Sequence, residues 1–217
     1  MIKGTIFDLD GTLVDTTSVY IEAYRISFDK ELGLPLNEPN MKSKFGKRGA
    51  TIVRELLREE GIDYDEALID KIINAVRDHF SEKIEDVLLL PGVKELLSDA
   101  KKGYKVALAT SSRRYAANAL LDGLGLRKYF DFVVTAEDVE HAKPNPEIFL
   151  KAAEGLGLCP DECVVFEDTA IGIRAGKAAG MTVVGVTTGP LDEYVLKTAG
   201  ADHVYENLTG FCLKSIL

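Results

Sequence analysis

The chain has 217 residues, enough for one domain with a sizeable core plus a smaller second unit. At 46% hydrophobic and 28% charged its composition is that of an ordinary globular protein, and no apolar run approaches the ~20 residues that span a bilayer. A formal charge of −9 argues against a polyphosphate partner such as nucleic acid.

The first residues lack the charged-then-apolar layout of a secretory leader, so a cytoplasmic protein with no membrane partner is expected. Cys159, Cys163 and Cys212 are odd in number and match no zinc spacing, which leaves them as plain thiols. The absence of glutamine, with abundant Lys, Glu and Arg, leans toward a heat-adapted source.

Residues 2–7 form a β-rich run that ends in Asp8-Leu9-Asp10-Gly11-Thr12. Helical periodicity then dominates from 16 to 87. Tyr20, Tyr24, Phe28 and Leu32 recur at four-residue steps, Ile52, Val53, Leu56 and Leu57 share a face, and a third stripe runs from Leu68 to Ile84. Gly33 and Gly61 are placed to stop the first two helices. From Pro91 onward, helix and strand alternate. Strands are expected at 105–109, 132–134, 163–166 and 182–186, with a weak one at 203–205 and helices between them. The pattern predicts an α/β fold, a Rossmann-like parallel sheet with helices on both faces. Residues 1–14 and 89–217 would form this core. Residues 15–88 would be an all-helical cap inserted after the first strand, with hinges near Asp15 and at 88–92.

Ligands of an open parallel sheet bind beyond the carboxyl ends of its strands. The first strand delivers Asp8 and Asp10 there, the second Thr110-Ser111-Ser112, a later loop Lys143, and the fourth strand Glu167-Asp168. Taken singly these are turn and helix-cap signals; their conjunction at one sheet edge is what points to a site. Carboxylates meeting at one point repel and persist only around a cation, and an all-oxygen donor set selects a hard ion such as Mg²⁺. The metal candidates are Asp8, Asp10, Glu167 and Asp168. Asp8, nearest the strand end, is the candidate nucleophile, forming an acyl phosphate. Asp10, beside a turn at Gly11, is the candidate general acid and base. Thr110 and Lys143 would hold the phosphoryl oxygens.

At these residues the sequence resembles the haloacid dehalogenase superfamily. Phe7-Asp8-Leu9-Asp10-Gly11-Thr12-Leu13, Thr110-Ser111-Ser112, Lys143-Pro144-Asn145-Pro146 and Val165-Phe166-Glu167-Asp168-Thr169 carry its four motifs in order, across nearly the whole chain. The resemblance implies a Rossmann-like core with a helical cap, Asp8 as nucleophile, Asp10 as acid and base, and Mg²⁺ on Asp8, Asp168 and the Asp10 carbonyl with Glu167 nearby. It is similar to the branch of phosphoglycolate-type phosphatases and β-phosphoglucomutases. That branch implies a phosphatase acting on a small phosphorylated metabolite, with a phosphosugar mutase as the alternative. In such mutases a cap Arg typically stands three residues after a Gly, whereas Arg48 follows Gly46 by two. Tyr20 stands where they tend to carry His.

Lys42, Lys44, Lys47 and Arg48 lie close together without an acidic neighbour, and Arg113 and Arg114 follow the Thr-Ser-Ser segment. These cations would meet the non-transferred end of an anionic substrate. Arg48 and Arg113, with Ser111 and Ser112, are the substrate-binding candidates. His141 is a weak candidate near Lys143, and His79 reads as packing. A non-enzymatic phospho-accepting signalling module also uses Asp, Mg²⁺, Thr and Lys at strand ends. It is shorter, has no cap, and carries its acceptor on a later strand.

Overall fold

A computed structural model describes residues 1–216; at 38, 42, 215 and 216 only the backbone is described. In chain order, β1 (Gly4–Phe7) and β2 (Val14–Asp15) lead into α1 (Thr17–Leu32), α2 (Glu38–Lys42), α3 (Gly49–Glu59) and α4 (Glu66–Glu82), and the chain returns through β3 (Leu88–Leu89). Then follow α5 (Val93–Gly103), β4 (Lys105–Ala109), α6 (Arg114–Gly123), β5 (Phe132–Val134), α7 (Glu147–Leu156), β6 (Cys163–Glu167), α8 (Ala170–Ala178), β7 (Thr182–Val186), α9 (Glu193–Ala199) and β8 (His203–Tyr205).

The main sheet is parallel in the order β5-β4-β1-β6-β7-β8. Its central strands β4, β1, β6 and β7 are buried on both sides, so they read as continuous apolar runs. Alternation still sorts them. Phe7, Leu108 and Phe166 pack against α5 and α6 on one face, while Ile6, Ala107 and Val165 pack against α7, α8 and α9 on the other. Phe7 and Phe166 stack with centroids 4.6 Å apart, which ties β1 to β6. This strand order reverses direction at β1, so the switch-point crevice opens between β1 and its neighbours.

The inserted helices have their own apolar cluster, in which Tyr24 and Phe28 of α1, Ile52, Leu56 and Leu57 of α3, and Ile69 and Ile72 of α4 are buried. Gly33 takes a left-handed conformation at the end of α1, and Asp65 caps α4 by accepting from the Leu68 amide. The two chain crossings near Asp15 and Leu88 are not loose linkers. They pair antiparallel as β2 and β3, with Val14 opposite Leu89 and Asp15 opposite Leu88. Among the described residues no helix is long and apolar enough to cross a membrane.

Candidate active site

β1 is central, β4 and β6 flank it, and the register aligns their ends: Phe7 pairs with Leu108 on one side and Phe166 on the other. Asp8, Thr110 and Asp168 therefore leave three adjacent strand ends into one crevice. All three are buried. After Asp8 the chain turns sharply at Gly11, whose φ is +79° and where a Cβ would come within 2.2 Å of an Asp168 oxygen. Only glycine meets both demands there.

Lys143 is buried and donates to Asp8 Oδ1 at 2.6 Å, to Glu167 Oε1 at 2.6 Å and to the Ala109 carbonyl at 3.3 Å. Its ammonium also lies 4.8 Å from the centre of the Phe149 ring. Burial opposes its charge, yet Asp8 and Glu167 hold the lysine above its ordinary value. Burial pushes the Asp8 carboxyl up to about 8; Lys143 pulls it back, while Glu167 and Asp10 add to the rise. Burial likewise lifts Asp168 well above the carboxylate range, with Glu167 and Asp8 contributing. Both carboxylates sit in a site short of positive charge.

Asp10 is held differently. Its Oδ1 accepts from Thr16 Oγ1 at 2.7 Å, and its Oδ2 from Ser112 Oγ at 2.6 Å and Thr110 Oγ1 at 3.4 Å. Thr16 precedes α1 and makes no side-chain cap to that helix, its hydroxyl being directed to Asp10. Ser112 also donates its amide to Thr110 Oγ1 at 2.9 Å. Thr12 Oγ1 donates to Asp168 Oδ1 at 3.0 Å. Glu167 Oε2 accepts from both the amide and the hydroxyl of Thr169 at 2.8 Å. With Lys143 on its other oxygen, Glu167 braces the site through its neighbours.

Among the described residues no three His, Cys, Asp or Glu side chains converge as a ready-made metal cage. The donor chemistry nonetheless fits Mg²⁺. That ion keeps several waters and needs only one or two carboxylates, and here the buried carboxylates Asp8, Glu167 and Asp168 lie around a single buried ammonium, Lys143, which pairs with Asp8 and Glu167 but not with Asp168.

A cavity of about 480 Å³ lies between the helical layer and the sheet edge, lined by Asp8, Asp10, Thr110, Ser111, Ser112 and Arg113 from below and by helical-layer residues from above. Arg48 reaches this cavity, but its guanidinium is engaged elsewhere. It donates to the carbonyls of Val139 at 2.6 Å and Ala136 at 3.2 Å, with a longer contact to Glu140 at 3.4 Å. The lysine cluster is corrected too. Lys44 is buried and paired with Glu59 at 2.8 Å, and Lys47 with Glu55 at 2.7 Å, because α3 brings acidic residues beside a loop that has none in its immediate sequence. The Lys42 side chain lies outside the described residues. Arg114 turns to Asp138, and His141 is exposed and faces Glu147. Sequence reasoning missed Thr12, Thr16 and Thr169. Thr12 and Thr169 stand inside the quoted motifs and Thr16 just beyond the first, so proximity to Asp10 and Asp168 was the available signal.

The family model described as haloacid dehalogenase-like hydrolase matches residues 5–186. The chain is 37% identical, over 92% of its length and 92% of the relative's, to a phosphorylated carbohydrates phosphatase of Thermotoga maritima. It is 38% identical, over 84% of its length and 95% of the relative's, to a fructose-1-phosphate phosphatase of Escherichia coli. A β-phosphoglucomutase structure from Clostridium difficile superposes with a TM-score of 0.89 at 30% identity, covering 100% of this chain and 96% of that one. With its fold, its strand-end residues and these matches, the chain belongs to the haloacid dehalogenase-like hydrolase family, as its motifs led us to expect.

Proposed function

We propose that the protein hydrolyses a small phosphate monoester in two steps, carrying the phosphoryl group on Asp8 between them. As a member of this family with phosphatases among its relatives, the chain is a phosphoric monoester hydrolase. The observation that carries the two-step reading is the division of labour between the aspartates. Asp8 is bound by Lys143, and Asp10 is aimed by hydroxyls from Thr16 and Ser112 into the same cavity.

In the first step an Asp8 oxygen attacks phosphorus, the bond from phosphorus to the ester oxygen breaks, and Asp10 gives its proton to the leaving alcohol. In the second, Asp10 takes a proton from water, the oxygen of that water attacks phosphorus, and the bond to Asp8 breaks to release inorganic phosphate. Lys143 and the Thr110 hydroxyl are positioned to stabilise the transferring oxygens, which is most of what phosphoryl transfer asks of a protein. Asp8, Asp168 and the Asp10 carbonyl would hold Mg²⁺, with Glu167 acting through Lys143. When bound, the ion supplies positive charge against the phosphoryl oxygens and the buried carboxylates.

Residues 15–88 serve as a cap in this reading, with the β2–β3 ribbon as the hinge and closure excluding water. Ser111, Ser112 and Arg113 contact the substrate from the core side. Arg48, expected to do so from above, instead fastens the cap to the core loop that leads to Lys143.

A phosphomutase is the second reading, favoured by the full-length superposition on a β-phosphoglucomutase. Tyr20 in place of His and the commitment of Arg48 to core carbonyls count against it. Phosphate release from a panel of small esters, with and without Mg²⁺, for wild type and Asp8→Asn, tests the proposal. Release should need both the ion and Asp8. No release, together with conversion of β-glucose 1-phosphate in the presence of a bisphosphate primer, would favour the mutase.

A further inference from the structure

The cavity above Asp8 has two unlike walls, and this inference rests on the phosphatase reading given above. The core wall is polar. The helical layer supplies three cations to the lining, and each has another partner. Lys47 donates to both oxygens of Glu55 at 2.7 Å. Arg48 is spent on core carbonyls. Arg77 donates to its neighbour Asp78 at 2.9 and 3.0 Å. Among the described residues the layer adds no Asn, His, Asp or Glu to the lining.

Apart from the hydroxyls of Thr16, which is bonded to Asp10, and Thr17 at the start of α1, that side is lined by small residues and by Tyr20, Tyr24, Phe45, Ile52, Ile73 and Val76. Tyr20 stacks on Phe80 at 4.4 Å, which fixes its ring in place. Its phenol is pushed well above the ordinary value by burial, with Asp10 adding to the rise, while a hydrogen bond with Ser112 works the other way.

A polyhydroxylated alcohol leaving phosphorus as Asp8 attacks would press hydroxyls against this wall and find few partners, and an unpaired buried polar group is costly. Among the described lining residues, a second anion would find on the cap side only cations that already have a partner. We propose that the substrate is a phosphate monoester of an alcohol poor in hydroxyl groups, whose ring or chain packs its apolar face on the wall formed by Tyr20, Phe45, Ile73 and Val76. This differs from the sugar esters named for the Thermotoga and Escherichia relatives.

The test compares kcat/KM for cyclohexylmethyl phosphate and glucose 6-phosphate, two six-membered-ring esters of primary alcohols whose leaving-group chemistry is closely matched. Cyclohexylmethyl phosphate should be preferred by about tenfold or more, the range that apolar pocket contacts set. Ile73→Asn should narrow the ratio; Val76→Thr, which keeps the side-chain shape and adds a hydroxyl, should narrow it as well and serves if Ile73→Asn fails to fold. Calorimetric binding of cyclohexylmethylphosphonate, expected to weaken in Ile73→Asn, provides a readout independent of turnover. Parity or a preference for glucose 6-phosphate would overturn the inference and leave the hydrolase intact. Absence of phosphate release from these and from the whole panel would instead overturn the phosphatase reading, and this inference with it.

Discussion

The Lys143 ammonium donates to Asp8 Oδ1 at 2.6 Å, joining residues 135 positions apart in the sequence. The same ammonium reaches Glu167 at 2.6 Å, so one buried cation serves two buried carboxylates. Removing it leaves both unpaired. Lys143→Met should lower stability by about 3–5 kcal/mol in the metal-free protein, the usual cost of breaking a buried ion pair from one side. It should also suppress phosphate release even where the fold persists. Denaturant titration and a phosphate assay read the two effects separately; wild-type turnover in the variant would refute the assigned role.

Gly172 lies in the first turn of α8, and a Cβ there would come within 1.8 Å of a Glu167 oxygen. Gly172→Ala therefore has to displace the carboxylate that Lys143 and Thr169 hold. Helix propensity alone would favour alanine by roughly 0.8–1 kcal/mol. We expect the clash to prevail, with a drop in kcat at near-normal secondary structure. Circular dichroism with steady-state kinetics checks this, and an unchanged kcat would show that Glu167 is not needed where it sits.

Arg48 fastens the cap to the core through backbone carbonyls, which are present whatever the ester. Hydrogen bonds from a charged donor are worth about 1.5–3 kcal/mol each. Arg48→Ala should thus reduce kcat/KM by on the order of 10–100-fold, and by a similar factor for every substrate in a panel. A loss confined to esters with a second anionic group would return Arg48 to the substrate-binding role expected from sequence.

Glu147 holds the loop before α7, accepting from the amides of Glu140 and His141 and pairing with Lys151. The hydrogen bond from Lys151, then those from the two amides, bring its carboxyl down to about 2. A carboxyl lowered in the folded state contributes stability that is present above its unfolded value near 4.5 and is lost as pH falls toward 2. Glu147→Gln should be less stable than wild type at neutral pH, and the gap should close between about pH 4.5 and pH 2. Melting temperatures across that range check the sign; a gap that widens on acidification would contradict it.

The parts of the site legible in the sequence were those where an apolar run stops at a polar residue. Asp8 follows Thr5-Ile6-Phe7, Thr110 follows Leu108-Ala109, and Asp168 follows Val165-Phe166-Glu167, so strand ends announced themselves. Partners supplied by backbone left no such mark. Nothing in the sequence around Ala136 or Val139 says that their carbonyls accept from Arg48. Lys44 and Lys47 were read as uncompensated because Glu59 and Glu55 lie 15 and 8 positions away, brought back only by the turn into α3. The β2–β3 ribbon has two residues per strand, too few to show a period, so the crossings read as linkers.

The covalent step is the centre of the proposed mechanism and can be observed directly. In Asp10→Asn the second step loses its base, worth on the order of 10²–10⁴ in rate, so a phosphorylated enzyme should accumulate when the variant meets an activated ester with Mg²⁺. After acid quench and proteolysis, mass spectrometry should place the phosphoryl group on Asp8, and Asp8→Asn should carry none. Phosphate release by Asp10→Asn without any label on Asp8, or undiminished release by Asp8→Asn, would contradict a phosphoryl group held on this residue.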